Sequence, residues 1–281
     1  ALYRALDMHL DGGAFVHETE WTYGVAHPFE ADRGLAGDGD VFSPGYFETK
    51  LKGGGATALT AEMNPGETEA GKSGAEGSEE EVCSSVLPLQ DAMRIGMQAF
   101  IVKREDTRTV IAGYPWFLDW GRDTLICLRG IIAAGMHDEA RDILVQFARF
   151  EDRGTLPNMI RGNDDSNRDT SDAPLWFFTA CADLIKAEGG SDFLDADCRG
   201  RSVREVLISI ATHYQTGTPN GIHMDPDSSL IFSPSHFTWM DTNHPAGTPR
   251  EGYPVEIQAL WFAALTFLST FDENPHWKAL A

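Results

Sequence analysis

A formal net charge of −21 on 281 residues, with a pI of about 4.6, repels phosphate backbones and anionic lipid. It therefore argues against binding to nucleic acid or a membrane surface. At 42% hydrophobic residues the chain can bury a sizeable core, so global disorder is excluded as well.

Cys83, Cys127, Cys181 and Cys198 form no CxxC pair and have no histidine partners at metal-ligand spacing. All four read as reduced thiols, and no metal or cofactor is expected. No run reaches the roughly 18 apolar residues of a spanning helix, and no signal peptide opens the chain. The expected location is the cytoplasm.

Residues 1–62 carry short aromatic runs broken by glycine, FVHETEWTYGV and then VFSPGYFETKL, which read as strands around turns. So few strands make a thin sheet, and the stretch reads as the C-terminal part of a β domain. Residues 63–87 change character, with six glutamates between Glu67 and Glu81 and no apolar side chain there larger than alanine. They read as an acidic, solvated linker.

From Pro88 the apolar spacing turns helical, and residues 88–281 read as one helical domain. Leu89, Met93, Met97, Phe100 and Ile101 mark a first helix, and Ile126, Gly130, Ile131 and Ala134 a second. Ala140, Ile143, Leu144, Phe147 and Ala148 mark a third, after His137–Asp138. Leu175, Trp176, Thr179 and Ala182 mark a fourth, after Asp172. Val203, Val206, Leu207, Ile210 and Tyr214 mark a fifth, with Ser202 as its N-cap. The sixth runs from Val255 to Leu268. Long polar loops, 154–171 and 217–252, follow alternate helices, so back-and-forth pairing gathers them at one end. A mainly α toroid with a loop-built mouth is the architecture expected.

The densest chemistry lies in Tyr114–Arg129, YPWFLDWGRDTLICLR. Trp116, Phe117 and Trp120 offer flat apolar surface, and Asp119, Arg122 and Asp123 offer directed hydrogen bonds beside it. A sugar uses both, through its C–H face and its rim of hydroxyls. The alternative is that the tryptophans are core and Arg122–Asp123 is a local ion pair at a helix start. Carboxylates are the credible catalysts, since no GxSxG, P-loop or paired-histidine zinc motif occurs.

Asp241 ends FTWMD, where Phe237, Trp239 and Met240 can wall it with apolar surface and raise its pKa, as a general acid requires. An Asx-turn with Thr242 and Asn243 explains it equally. Asp172 precedes Ala173–Pro174 and reads as an N-cap or a ligand-binding carboxylate rather than a proton donor. Glu256 falls in the first turn of the sixth helix, a comfortable place for a carboxylate. Asn158 in GTLPN reads as a turn residue or a partner for a hydroxyl.

Taken in order, AGYPWFLDWGRDT, GTLPN, DAPLWFF, GIHMDP, TWMD and GYPVEIQALW resemble the motifs of glycogen debranching enzymes. The likeness is to the amylo-α-1,6-glucosidase domain, particularly its bacterial and archaeal form. DVFSPGYFETKL resembles the end of that family's N-terminal β domain. The resemblance implies an (α/α)6 barrel, of which 88–281 forms the first half. It also implies inverting hydrolysis of α-1,6 branch stubs in glycogen or limit dextrin, a branched α-glucan, without metal or cofactor.

By motif, Asp241 is the general acid, and Trp120, Arg122 and Asp123 line the glucose site. Trp116, Asn158, Asp172, Trp239 and Glu256 join them as substrate-binding residues. Two departures stand out. Arg168 and Asp169 replace a Tyr-Asn common in the family, and the family's catalytic base is a glutamate beyond the point where this chain stops. Two other readings are a trehalase-like α-glycosidase on the same toroid and a non-catalytic or truncated glucan-binding protein. An open half-ring leaves apolar helix faces uncovered, so self-association is allowed.

Overall fold

The computed structural model describes residues 4–31, 37–65, 88–114, 117–242 and 247–281. Contacts divide the chain into two compact units, Ala1–Ser84 and Ser85–Ala281.

The first unit is a long two-stranded ribbon that runs out and back. β1 (Arg4–Leu10) pairs antiparallel with β4 (Leu59–Pro65), and β2 (Gly13–Ala26) with β3 (Asp38–Thr49). Aromatic pairs across the ladder hold the register. Trp21 meets Phe42 and Phe15 meets Phe47, with ring centroids 4.9 and 5.1 Å apart. A four-residue helix, α1 (Pro28–Ala31), follows β2 without any apolar period to announce it. β4 continues past residue 62 to Pro65. Among the described residues of this unit only Leu10 is a buried hydrophobic. Among the described residues the ribbon has no further core, which leaves such a pairing marginal in isolation.

The second unit is mainly helical, with small two-stranded sheets. It opens with α2 (Leu89–Gln98). Phe100 and Ile101 were expected on the face of this helix, but they lie beyond its end. Ile101 begins β5 (Ile101–Arg104), which a tight turn through Glu105, at φ 51°, joins to β6 (Thr107–Val110). The β-branched residues of IVKR and TRTV favour this hairpin, and a count of helical apolar spacing passes over them.

The remaining helices are α3 (Gly121–Ala133), α4 (His137–Arg149), α5 (Ala173–Glu188), α6 (Val203–Thr216), α7 (Val255–Leu268) and α8 (Pro275–Leu280). Three were well marked in the sequence. In α4 the five expected apolar residues are all buried, as are the five of α6. α7 has the bounds its apolar run implied. Ser202 caps α6 in a capping box: its Oγ accepts from the Glu205 N–H at 3.2 Å, and Glu205 Oε2 accepts from the Ser202 N–H at 2.7 Å. Such a cap contributes about 1 kcal/mol.

α3 differs from expectation. It starts at Gly121 and buries Leu125, Leu128, Ile131 and Ile132, while Ile126 and Gly130 are exposed. TLICLRGII is apolar on more than one face, so spacing alone allows two registers, and packing against α5 selects one. α8 was not foreseen; Asn274 caps it and Trp277 is buried.

α3, α5 and α7 pack side by side, and α4 and α6 return the chain alongside them. The long connections after α4 and α6 therefore gather at the N-terminal ends of α3, α5 and α7, as their spacing implied. Cys127, Cys181 and Cys198 are free thiols, and Cys83 lies outside the described residues. No helix among the described residues is long and apolar enough to cross a membrane.

Candidate active site

The site is built where the WGRD segment meets the first long loop. β7 (Asp119–Trp120) pairs with β8 (Met159–Ile160), and the Gly121 N–H donates to the Asn158 carbonyl at 2.9 Å. A Cβ on Gly121 would lie 2.3 Å from the Pro157 carbonyl oxygen, so only glycine permits this approach. Trp120 is still extended, and the chain then turns into α3 with Arg122 and Asp123 in its first turn.

Arg122 joins three segments. Its Nε donates to Asp172 Oδ2 at 2.5 Å, Nη1 to Asp241 Oδ2 at 3.0 Å and Nη2 to the Thr238 carbonyl at 2.7 Å. The local Arg122–Asp123 ion pair is not formed, because neighbouring side chains on a helix diverge. Asp172 is buried and does not cap α5 with its side chain. Its Oδ1 accepts from Thr170 Oγ1 at 2.8 Å, and that hydroxyl takes the Ala173 N–H instead, at 3.3 Å. The second loop is tied to the same point. Ser171 donates its N–H to the Phe237 carbonyl at 2.7 Å, and Tyr214 Oη donates to the Ser171 carbonyl at 2.8 Å.

Above Arg122 opens a cleft of about 410 Å³, lined by Ala112, Phe117, Trp120, Arg122, Asp123, Trp239 and Asp241. That volume falls in the range of small-molecule sites. Of the apolar residues expected to wall Asp241, Trp239 lines the cleft beside it, with Phe117 and Trp120 on the same lining. Phe237 packs toward the core, Trp239 is 56% exposed, and the partner of Asp241 is a guanidinium. Asp241 Oδ1 has no hydrogen-bond partner among the described residues. Asp123 has no side-chain partner among them either. The residue is exposed, yet crowding around its carboxyl desolvates it and holds it above the usual carboxylate range, with Arg122 pulling down and Asp241 and Asp172 adding to the rise. An apolar cavity of about 660 Å³ between α2 and α3 adjoins the cleft, sharing Ala112, Arg122 and Asp123 with it.

Other expected site residues fall outside the cleft lining. Asn158 is buried, with Oδ1 unpartnered among the described residues, and it serves through its backbone. Glu256 is paired with Arg250. Trp116 lies outside the described residues. Arg168, at one of the two family departures, turns to the Thr155 and Phe150 carbonyls at 3.1 and 2.9 Å. Arg250 itself was missed, although its place six residues before Glu256 in PREGYPVE was a signal.

Asp119, beneath the cleft, is 2% exposed, with Oδ1 unpartnered among the described residues and Oδ2 3.5 Å from Arg104 Nη1. Burial pushes its carboxyl up to about 6, against the pull of the nearby Thr109 hydroxyl and of Arg104. The folded state therefore holds this proton more tightly than the unfolded chain. The associated stability is complete below pH 4 and is lost as pH rises through about 6. Asp119→Asn removes the effect. Urea unfolding from pH 4 to 7 should show the variant gaining on the parent by up to about 3 kcal/mol between pH 4 and 6. A difference that stays constant across that window would refute a buried titrating carboxylate.

Comparison with known families settles the kinship. Residues 95–279 match the family described as amylo-alpha-1,6-glucosidase. The chain belongs to this family. Residues 2–58 of this amylo-alpha-1,6-glucosidase family member also match the N-terminal region of glycogen debranching enzyme. A glycogen debranching enzyme from Saccharomyces cerevisiae is 25% identical over 227 residues, covering 60% of this chain and 15% of the yeast protein. The chain thus spans a small fraction of the length of that relative.

Proposed function

We propose that this chain is part of a glycoside hydrolase that cleaves α-1,6-glucosidic branch stubs of glycogen or limit dextrin with inversion. In this reading residues 88–281 are the first half of an (α/α)6 barrel, and residues 1–62 are the C-terminal part of an N-terminal β domain. The observation that carries the proposal is the meeting of Asp172 and Asp241 on Arg122, in a cleft lined by Trp120 and Trp239. Tryptophan faces suit the C–H face of glucose, and the Asp123 carboxylate, without a side-chain partner among the described residues, suits its hydroxyls.

Asp241 is the general acid. Arg122 holds its Oδ2, which leaves Oδ1, without a hydrogen-bond partner among the described residues, as the oxygen that can meet the glycosidic oxygen. Asp172, buried with both oxygens engaged, is poorly placed for that task. An inverting reaction also needs a base roughly 6.5–9.5 Å from the acid. Family likeness assigns that base to a glutamate further along the family's sequence than residue 281.

Calorimetric titration of this chain with limit dextrin tests the reading. Asp123→Ala should weaken binding about tenfold or more, the scale of a charge-assisted hydrogen bond, and leave the melting temperature within about 2 °C. Unchanged affinity with a lowered melt would make Asp123 structural and remove the sugar site from this cleft. Parallel titrations with isomaltose and trehalose distinguish a trehalase-like preference.

A further inference from the structure

Arg250 stands in a segment pinned at both ends. The Pro249 carbonyl accepts from the His236 N–H at 2.8 Å, and Ser233 and Gly252 exchange backbone hydrogen bonds at 2.7 and 3.0 Å. Between these pins Arg250 adopts φ 51°, in the left-handed region where a non-glycine residue persists only if its surroundings hold it. From there its guanidinium does two things. It donates through Nη2 to the Glu256 carboxylate in the first turn of α7, and it lies 5.8 Å from the ring centroid of Trp239. Trp239 lines the cleft, whereas Arg250 and Glu256 do not. The cation therefore lies over the indole from outside the cleft lining, and the ring stays 56% exposed.

We infer that Arg250 is a positioning residue that holds Trp239 as the stacking platform beside Asp241, and that Glu256 acts by anchoring Arg250 rather than by touching sugar. The inference rests on the reading of the cleft as a glucan site. A ring that must stack on a pyranose gains from being held before the ligand arrives, since ordering it on binding costs affinity. The support runs from the α7 N-terminus, which favours a carboxylate at Glu256. It passes to the Arg250 fork and then to the indole face, which attracts the cation.

The test is a double-mutant cycle on this chain, titrated with limit dextrin. Arg250→Ala should weaken binding about three- to thirty-fold, the range set by the cation–π contact. In a Trp239→Ala background the same change should cost nothing further. An equal loss in both backgrounds would mean that Arg250 acts on the sugar or elsewhere, and would overturn the inference. Glu256→Gln should mimic Arg250→Ala in part and should likewise be silent without Trp239. Arg250→Lys keeps the charge, should restore part of the affinity, and replaces the alanine variant should that fail to fold.

A second readout needs no glucan. With fluorinated tryptophan, the resonance of Trp239 among the seven tryptophans is identified by its loss in Trp239→Phe. It should shift or broaden in Arg250→Ala, and an unmoved signal would overturn the positioning role. Failure of the parent chain to bind dextrin, with the signal still moving, would instead count against the glucan reading alone.

Discussion

Replacing Arg122 with methionine is expected to lower stability by about 3–5 kcal/mol, the scale for removing one partner of a buried ion pair. Arg122 is 8% exposed and Asp172 is 3% exposed, so the stranded carboxylate cannot recover its hydration. Thr170 still donates to Asp172 but carries no charge to balance it. For a unit of about 200 residues this corresponds to roughly 6–20 °C in melting temperature. Arg122→Lys should fall between, keeping the charge but losing the fork that reaches Asp172, Asp241 and Thr238 together. Adding Asp172→Asn to the methionine variant should recover part of the loss. A methionine variant that melts within about 2 °C of the parent would show that the carboxylates do not depend on Arg122.

The other large effect concerns Asp241. On the proposed mechanism, in a longer protein that also carries the proposed base, Asp241→Asn should reduce turnover on unactivated α-1,6-glucosides by about 10²–10⁴-fold, the scale for losing a general acid. Affinity for limit dextrin should persist. The amide preserves the shape and can present one oxygen to Arg122 Nη1, so the loop stays tied. Turnover near the parent rate would remove Asp241 from the mechanism. A variant that also fails to bind would place Asp241 in sugar recognition instead.

How much of this could be read in advance depended on how local each determinant is. α4, α6 and α7 were legible because their apolar faces are unambiguous and because a cap at Ser202 marks where α6 begins. The boundary between α2 and β5 was not, since Phe100 and Ile101 continue a helical count while the β-branched run after them decides for a hairpin. At the site, motif order brought Trp120, Arg122, Asp123, Trp239 and Asp241 together, and all five line one cleft. What motif order could not supply was the direction of side chains. Asn158 and Glu256 belong to segments expected at the site, yet one is buried and the other is turned to Arg250. Nor could local reasoning find the partners of Arg122, which come from 50 and 119 residues away.

Those separations bear on how the molecule assembles. Contacts between sequence neighbours, such as the β5–β6 hairpin and the α6 cap, close short loops and can form early. Bringing Asp241 to Arg122 requires most of the helices to be in place first, and the entropy of so long a closure is recovered only when the last bond is made. The guanidinium fork is thus a late clasp on a nearly finished structure. Stability lost at Arg122 should accordingly appear as faster unfolding, with the folding rate little altered. On that expectation the clasp that organises the cleft also slows the opening of the native state.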